Sequence, residues 1–509
     1  MLLHTLILLL PALCYLLGAL AGRRAGWRVA GSCALAALLA SLSAPLLALW
    51  QPLLPSPWIA ASPINLIMSL LVSVLGLVVV RYSSSYLAGD PVERGYRSWL
   101  QLCLASVSLV VITNHLLLLV LAWSAISVCL HQLLVSYPDR FRAVLAAHKK
   151  FIFARLAELC MVSAALLLWQ LHGTFSISEI LAHYPAPLSL TEQAAACLLA
   201  IAALIKCAQL PVHGWLMQVV EAPTPVSALL HAGIINLGGY LMILMAPLIS
   251  ASAPARWLLL IVAGITAVLA ALIMMTRISI KVRLAWSTSA QMGLMLVECA
   301  LGLHELAVLH LLAHSCYKAH AFLASGGAVF SFLDRQLAGP ANASLGTWLR
   351  NLIVALILVS ATLLVLPEPT SPAQWSAWLL VAVALSLLEP NRSGAALRSL
   401  SMALVLLLAY VLQKMLLARL LPDMPDAGWL AAAWAMTLVV LLLAGYGLLV
   451  MHRTALAYRW RQWLFAGLYL DEWVTRTTLK LWPVPLPTNA ARKPGQTTTS
   501  RSEVHEHLA

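Results

Sequence analysis

Long apolar stretches follow one another along this chain, and short polar segments separate them. A window of about 20 residues, the length that crosses a bilayer as a helix, finds about fifteen such stretches. The pattern therefore predicts an all-α membrane protein with about fifteen transmembrane helices. The stretches are 2–21, 28–50, 62–81, 98–112, 115–136, 151–171, 194–220, 225–248, 257–276, 284–301, 304–331, 351–367, 375–389, 399–418 and 428–451.

Composition supports the same class. Of the 509 residues, 62% are apolar and 10% are charged, whereas globular domains carry about 25% charged residues. The chain is therefore expected to be a membrane protein throughout. The first stretch has no basic segment before it, so we expect it to be a retained helix and not a signal peptide.

The charges are concentrated in alternate loops. The net charge is +13, and the loops at 51–61, 172–193 and 368–374 hold no lysine or arginine. By the positive-inside rule this predicts an N-terminus outside and a C-terminus inside. Short basic loops between apolar stretches argue against nucleic-acid binding, and nine cysteines without C-x-x-C spacing argue against a disulfide framework or a metal cluster.

The character of the chain changes after Met451. Residues 452–484 mix Trp, Leu and Phe with Arg and Lys, which predicts one amphipathic helix on the inner face of the membrane. Residues 485–509 are rich in Pro, Thr and Ser, and we expect a disordered tail. The predicted organisation is thus a transmembrane domain over 1–451, an interfacial helix and a tail.

Lys206 lies in an apolar run that contains no other charge. An ammonium group near the middle of a bilayer costs about 2.5–3.5 kcal/mol on insertion scales, so such a group faces water, a counter-charge or a transported ion. Pro211 withholds a backbone N–H and frees the carbonyl of Cys207, which predicts a helix break beside the charge. A broken helix next to a buried cation indicates an ion path.

Glu158 is the acidic candidate for this path. It follows Arg155 by about one helical turn, so two interpretations stay open. Glu158 either forms an ion pair with Arg155 within its helix, or faces Lys206 from a neighbouring helix and modulates its proton affinity.

His231 lies near a second expected break. Pro223 and Pro225 restrict the backbone before it, and Gly233 loosens the helix after it. A histidine there is either a hydrogen-bonded core residue or a proton relay, because its ordinary pKa of about 6.5 allows both protonation states.

His310, His314 and Lys318 recur at every fourth position, which places them on one helix face. The spacing predicts a proton-conducting row. A metal site is an alternative, although no third ligand is evident, and inert packing is another. Lys414 is a candidate exit residue, or it extends outward toward Arg419.

These residues fall in segments that resemble the proton-antiporter family, which includes the antiporter-like subunits of respiratory complex I and the Mrp sodium/proton antiporter subunits. The resemblance covers about residues 60–335 and rests on the segments TNHLLLLVLAWSAISVCLHQLLVSY, KCAQLPVHGWLMQVVEAPTPVSALLHAGIINLGGYL, KVRLAWSTSAQMGLM and HLLAHSCYKAHAFLASG. It implies inverted repeats with broken helices, and it implies relay roles for Glu158, Lys206, His231, His310, His314 and Lys318.

The chain departs from this family in three places. Trp123 is followed by Ser124, where the family has a glutamate that pairs with the central lysine. Residues 351–374 contain no lysine, although the family has one on its broken twelfth helix. No long lateral helix follows the last apolar stretch, which argues against an ordinary complex I subunit.

The segment LFAGLYLDEWVTRTTLKLWP resembles the membrane subunit of DAB inorganic-carbon accumulation complexes of the bacterial inner membrane. That resemblance implies a large cytoplasmic partner with a zinc site similar to that of β-carbonic anhydrases. Proton or sodium flow through this chain would drive hydration of CO2 to bicarbonate in the partner, and this chain would hold no zinc, no cofactor and no catalytic site of its own. Asp471 and Glu472 are the predicted docking residues.

Three other hypotheses remain at this stage. The chain could be a pump subunit of an NADH:quinone or hydrogenase complex, a subunit of an Mrp-like cation/proton antiporter, or a structural scaffold. A scaffold leaves unexplained three lysines and a histidine row in apolar helices, the lysines being Lys206, Lys318 and Lys414.

Overall fold

The computed structural model describes residues 2–21, 26–50, 55–184, 187–327, 333, 345–366, 371–386, 395–421, 424–450 and 454–483. Within these ranges the chain is helical and contains no strand, and the only β-type pairings are two isolated bridges, Ile59–Thr113 and His115–Ser176. The all-α prediction is confirmed. The predicted tail at 485–509 lies outside the described residues.

The first third of the chain forms a run of uninterrupted helices. All but the last are long and apolar enough to cross a bilayer. The last is a short helix of 5 residues. These helices are α1 (Leu2–Ala21), α2 (Trp27–Ala48), α3 (Pro63–Tyr86), α4 (Glu93–Ile112), α5 (Leu116–Leu134), α6 (Phe141–His172) and α7 (Ile177–Leu181).

Two interrupted helices follow. The first is divided at 207–213, and the second is divided by a 3-10 turn at Ile234–Asn236. Their four pieces are α8 (Leu190–Lys206), α9 (Gly214–Gln218), α10 (Thr224–Ala232) and α11 (Leu237–Leu244), and the short helix α12 (Ala246–Ala251) follows them.

The remaining apolar stretches form seven more helices. The first three pack around the interrupted pair, and the later ones lie on the outside. They are α13 (Ala253–Met275), α14 (Ile280–Ala300), α15 (His304–Leu323), α16 (Leu345–Val365), α17 (Pro372–Ser386), α18 (Ala395–Ala418) and α19 (Trp429–Val450).

Burial identifies the centre of the bundle. The segment Thr224–Leu244 is 94% buried, whereas the corresponding value is 22% for α1 and 17% for α18. Apolar side chains that remain exposed on outer helices, such as Leu17 and Leu412, suit contact with lipid. The interrupted helices α8–α11 therefore lie at the protein's centre, surrounded by α3, α6 and α13–α15.

The described part of the chain contains ten helical segments that are long and apolar enough to cross a membrane, and two shorter apolar helices. Each predicted stretch contains a helix, but α8, α14 and α15 are not among the ten. The break shortens α8 to 17 residues, and α14 and α15 carry buried polar side chains. Length and buried polar groups therefore account for the difference between the predicted and the counted spans in these three helices. The side of the membrane on which each terminus lies, and the inverted repeats, remain predictions.

The single helix predicted for 452–484 is two helices, which corrects the expectation. They are α20 (Ala455–Phe465) and α21 (Leu470–Leu481). Between them, Gly467, Leu468 and Tyr469 have φ values of +66°, +56° and +54°, and this left-handed backbone ends a helix. The amphipathic pattern was correctly recognised, but the reversal depends on backbone angles that apolar periodicity does not report.

Candidate functional site

The break after Lys206 is held by one of its own side chains, Gln209, and by Ser289 of the neighbouring helix α14. Gln209 donates its Nε2 to the carbonyl of Cys207 at 2.7 Å and to that of Ser289 at 3.2 Å, and the Ser289 hydroxyl donates to the carbonyl of Ala208 at 2.8 Å. The carbonyl that Pro211 leaves free is therefore paired, as a backbone group inside a membrane protein must be. The break forms where the sequence predicted it.

Lys206 is the last residue of α8. The partial negative charge at a helix C-terminus favours a cation there. Its Nζ lies 4.7 Å from the centroid of the Trp123 ring on α5, a cation–π distance. Ser124, next along α5, provides no carboxylate. No acidic group in the described part of the chain lies within 4 Å of this ammonium.

Both interpretations of Glu158 have structural support. Its Oε1 lies 2.7 Å from Nη2 of Arg155, so the ion pair within α6 exists. Glu158 is also buried and lies within Coulombic range of Lys206, because α6 packs against α8. The carboxylate can therefore influence the lysine without a direct salt bridge.

Lys150 belongs to the same group, although it precedes the apolar stretch predicted at 151–171. Helix α6 begins at Phe141, ahead of the apolar stretch, and carries Lys150 into the core. Its Nζ donates to the carbonyl of Ser127 at 2.6 Å and to the Ser127 hydroxyl at 3.0 Å. It lies within Coulombic range of Lys206 and Glu158. Lys150 precedes Glu158 by about two helical turns, which places both on one helix face. This spacing could have indicated from the sequence that Lys150 belongs with Glu158.

His231 lies beside the second break. Pro225 occupies the first turn of α10, and the chain leaves helical geometry at Gly233. The His231 side chain is fully buried, its Nδ1 lies 3.1 Å from Oγ1 of Thr288 on α14, and its ring stacks on Phe322 at 4.3 Å. Its Nε2 has no hydrogen-bond partner in the described part of the chain, so this nitrogen is available to exchange a proton.

The predicted row on α15 is assembled and faces His231. Lys318 is fully buried, donates to the carbonyl of Leu284 at 3.2 Å, and is within Coulombic range of His231 and His314. The ring of His314 lies 6.3 Å from that of His310. Neither ring nitrogen of His314 has a partner among the described residues. The arrangement can relay a proton along α15 toward α10.

Glu298, on α14, ends this row. Its carboxylate is buried and accepts from Nδ1 of His310 at 3.0 Å. Gln291, also on α14, contacts Nε2 of His310 at 2.7 Å. Glu298 therefore places a carboxylate at the end of the row. Its position near the end of an apolar stretch in the sequence did not indicate this contact.

The two breaks contact each other. Cys207 donates its thiol to the carbonyl of Ile235 at 3.5 Å, and Asn236 donates to the hydroxyl of Ser315 on α15 at 2.7 Å. Gly238 lies so close to Cys207 that an added Cβ would be 2.5 Å from its sulfur. Polar groups of the two breaks thus connect the Lys206 region with the histidine row.

Lys414 lies apart from this group. Its Nζ is 5.4 Å from the centroid of the Trp378 ring, and it is within Coulombic range of Glu305. Within the described ranges there is no group of three His, Cys, Asp or Glu side chains that could hold a metal ion.

Replacing Glu298 with glutamine is expected to lower ion flux severalfold. Glutamine keeps a hydrogen-bonding oxygen near His310 but removes the negative charge at the end of the row. Proton flux in proteoliposomes measures the effect, with Glu305→Gln as the control, because Glu305 lies in the first turn of α15, outside the row. Equal flux in both variants would remove Glu298 from the path.

Comparison with known proteins agrees with this geometry. Residues 113–387 match the family described as "NADH:quinone oxidoreductase/Mrp antiporter, TM". The probable inorganic carbon transporter subunit DabB of Hydrogenovibrio crunogenus is 50% identical over 497 residues, which cover 95% of each chain. The probable inorganic carbon transporter subunit DabB2 of Halothiobacillus neapolitanus is 35% identical over 84% of this chain and 80% of that protein.

A solved structure shows the same fold. The Mrp complex from Dietzia sp. DQ12-45-1b contains a chain that superposes with a TM-score of 0.57 at 25% identity. The match covers 94% of this chain and 56% of that one, so this chain spans little more than half of the Mrp chain. The protein is a multi-pass membrane protein of the NADH:quinone oxidoreductase/Mrp antiporter family, and within it the chain belongs to the DabB group of probable inorganic carbon transporter subunits.

Proposed function

We propose that this chain conducts protons and couples the cation gradient to inorganic-carbon accumulation by a partner subunit. The observation that carries the proposal is that ionisable groups are buried at both breaks: Glu158, Lys150 and Lys206 near the first, and His231 and Lys318 near the second. Charged and titratable groups in the membrane mark ion paths. The 50% identity to a probable inorganic carbon transporter subunit supports the role of that path.

The coupled reaction is proposed to be hydration of CO2 to bicarbonate at a zinc site in a large cytoplasmic partner. One charge moving down 100 mV supplies about 2.3 kcal/mol. That energy biases an equilibrium by about fiftyfold, since about 1.4 kcal/mol is a factor of ten. The flow of one proton per turnover is therefore enough to make hydration strongly directional. The proposed location is the bacterial inner membrane.

Uptake of labelled inorganic carbon tests the proposal. Cells that make this chain and its partners should lose uptake when a protonophore is added, whereas a sodium ionophore should have little effect. The complex, extracted in mild detergent, should contain a large soluble subunit with zinc, identified by mass spectrometry and elemental analysis. Uptake that ignores the membrane potential would contradict the proposal.

The similarity to the Mrp complex favours a second candidate, a cation/proton antiporter subunit. This function predicts sodium/proton exchange in vesicles without inorganic carbon, and small hydrophobic subunits in the purified complex. Ser124 argues against it, because Lys206 then lacks the carboxylate partner expected beside Trp123. Flavin or iron–sulfur subunits would instead indicate a redox-driven pump.

A further inference from the structure

Asp471 joins three helices through one carboxylate. It lies at the start of α21 and accepts two hydrogen bonds from Nζ of Lys149 on α6, at 3.0 and 2.9 Å. It also accepts one from Nε2 of Gln218, at the end of α9, at 3.1 Å. The Lys149 side chain is fully buried, whereas that of Asp471 is 30% exposed. The carboxylate predicted to dock a partner is therefore engaged within the chain.

The contact with α9 requires a glycine. A Cβ at Gly214, the first residue of α9, would lie 1.5 Å from Oδ1 of Asp471. The carboxylate thus rests directly on the backbone where the broken helix resumes after Lys206. Any larger residue at this position would force Asp471 away.

A second contact fixes the other end of α21. The ring of Trp482, directly after α21, stacks on that of His148 at 3.8 Å with an interplanar angle of 10°. The helix is therefore held against α6 at both of its ends. Its opposite side carries Trp473, which is 72% exposed.

These contacts lie beside the ion path on both sides. Lys149 immediately precedes Lys150, which is within Coulombic range of Lys206. On the other side, α9 follows the break that begins at Lys206. A displacement of α21 would therefore change the relative positions of the two lysines that carry the path.

We propose that Asp471 is a positioning residue that fixes the broken α8–α9 helix against the lysine-bearing end of α6, so that α21 controls the ion path. The inference rests on the proposed function and deepens it. A partner bound to the exposed side of α21 would act on Lys206 through this carboxylate, at a distance from any ion-exchanging group.

Two variants separate positioning from simple stabilisation. Loss of Asp471 alone would leave Lys149 buried without a counter-charge, which destabilises a protein for unrelated reasons. The double variant Lys149→Gln/Asp471→Asn removes both charges together. Gly214→Ala keeps both charges but displaces the Asp471 carboxylate. The controls are Asp139→Asn, at an exposed loop position, and Gly447→Ala, where a Cβ meets nothing within 4 Å.

The readouts are gradient-driven inorganic-carbon uptake per assembled complex, the number of protons that enter per carbon accumulated, and amide hydrogen exchange at residues 207–218. Both test variants should assemble, take up carbon severalfold more slowly, carry more protons per carbon, and exchange faster at 207–218. A purely structural role would lower the amount of complex but leave the proton-to-carbon ratio unchanged.

Unchanged ratio and exchange in the double variant and in Gly214→Ala would overturn the positioning role. Failure of the proposed function would instead show in the unmodified complex, as uptake that a protonophore does not affect. The exchange measurement still tests the positioning of α8–α9 in that case. Failure of both variants to assemble, with normal assembly of both controls, would count against the proposal and assign the contact to folding alone.

Discussion

Replacing Lys206 with alanine is expected to abolish gradient-driven transport, with a loss of at least about a hundredfold, the lower range of what a positioned proton-transfer group contributes. Lys206 ends α8 at the break and lies within Coulombic range of Glu158, so it is the group through which the carboxylate can act on the second break. The measurement is proton-driven uptake of labelled inorganic carbon per assembled complex. Lys281→Ala is the control, because Lys281 binds Thr224 at a helix end outside the path.

Lys206→Arg makes this prediction sharper. Arginine keeps the positive charge and the cation–π geometry at Trp123, but its guanidinium does not release a proton in proteins. If Lys206 relays protons, the arginine variant should be as inactive as the alanine variant. Recovery of transport by arginine would show that Lys206 supplies only a fixed charge.

Replacing Lys318 with methionine is expected to reduce proton flux by at least about tenfold, because the change removes a positioned proton-transfer group. Methionine fills a similar volume, so the change removes the ammonium without a large cavity. Lys318 faces His231 and His314, whereas Lys414 lies against Trp378. Lys414→Met should therefore cost much less. Flux through purified complex in proteoliposomes compares the two variants directly.

A double variant tests whether the two lysines serve one path. When groups act as a unit, the effects of replacing them are not additive. The double variant Lys206→Ala/Lys318→Met should therefore transport no less than Lys206→Ala alone. If the losses multiply, the lysines belong to separate paths and the connection through Asn236 and Ser315 carries no ions.

Local patterns explain what could be predicted. The apolar stretches, the break near Pro211 and the face shared by His310, His314 and Lys318 all depend on residues within a few turns of one another. The prediction for 452–484 had the correct amphipathic character but the wrong number of helices, because three left-handed residues reverse the chain at 467–469.

The sequence by itself determined the membrane class, the apolar stretches that contain helices, both breaks and the shared face of the α15 row, because length, proline and helical period act locally. The tertiary structure decided which groups come together: Lys150 lies within Coulombic range of Lys206, Glu298 contacts His310, and Lys149 contacts Asp471. The last pair is separated by 322 positions along the chain. Such contacts depend on how helices are rotated and packed against one another, and apolar periodicity along one helix does not specify its neighbours.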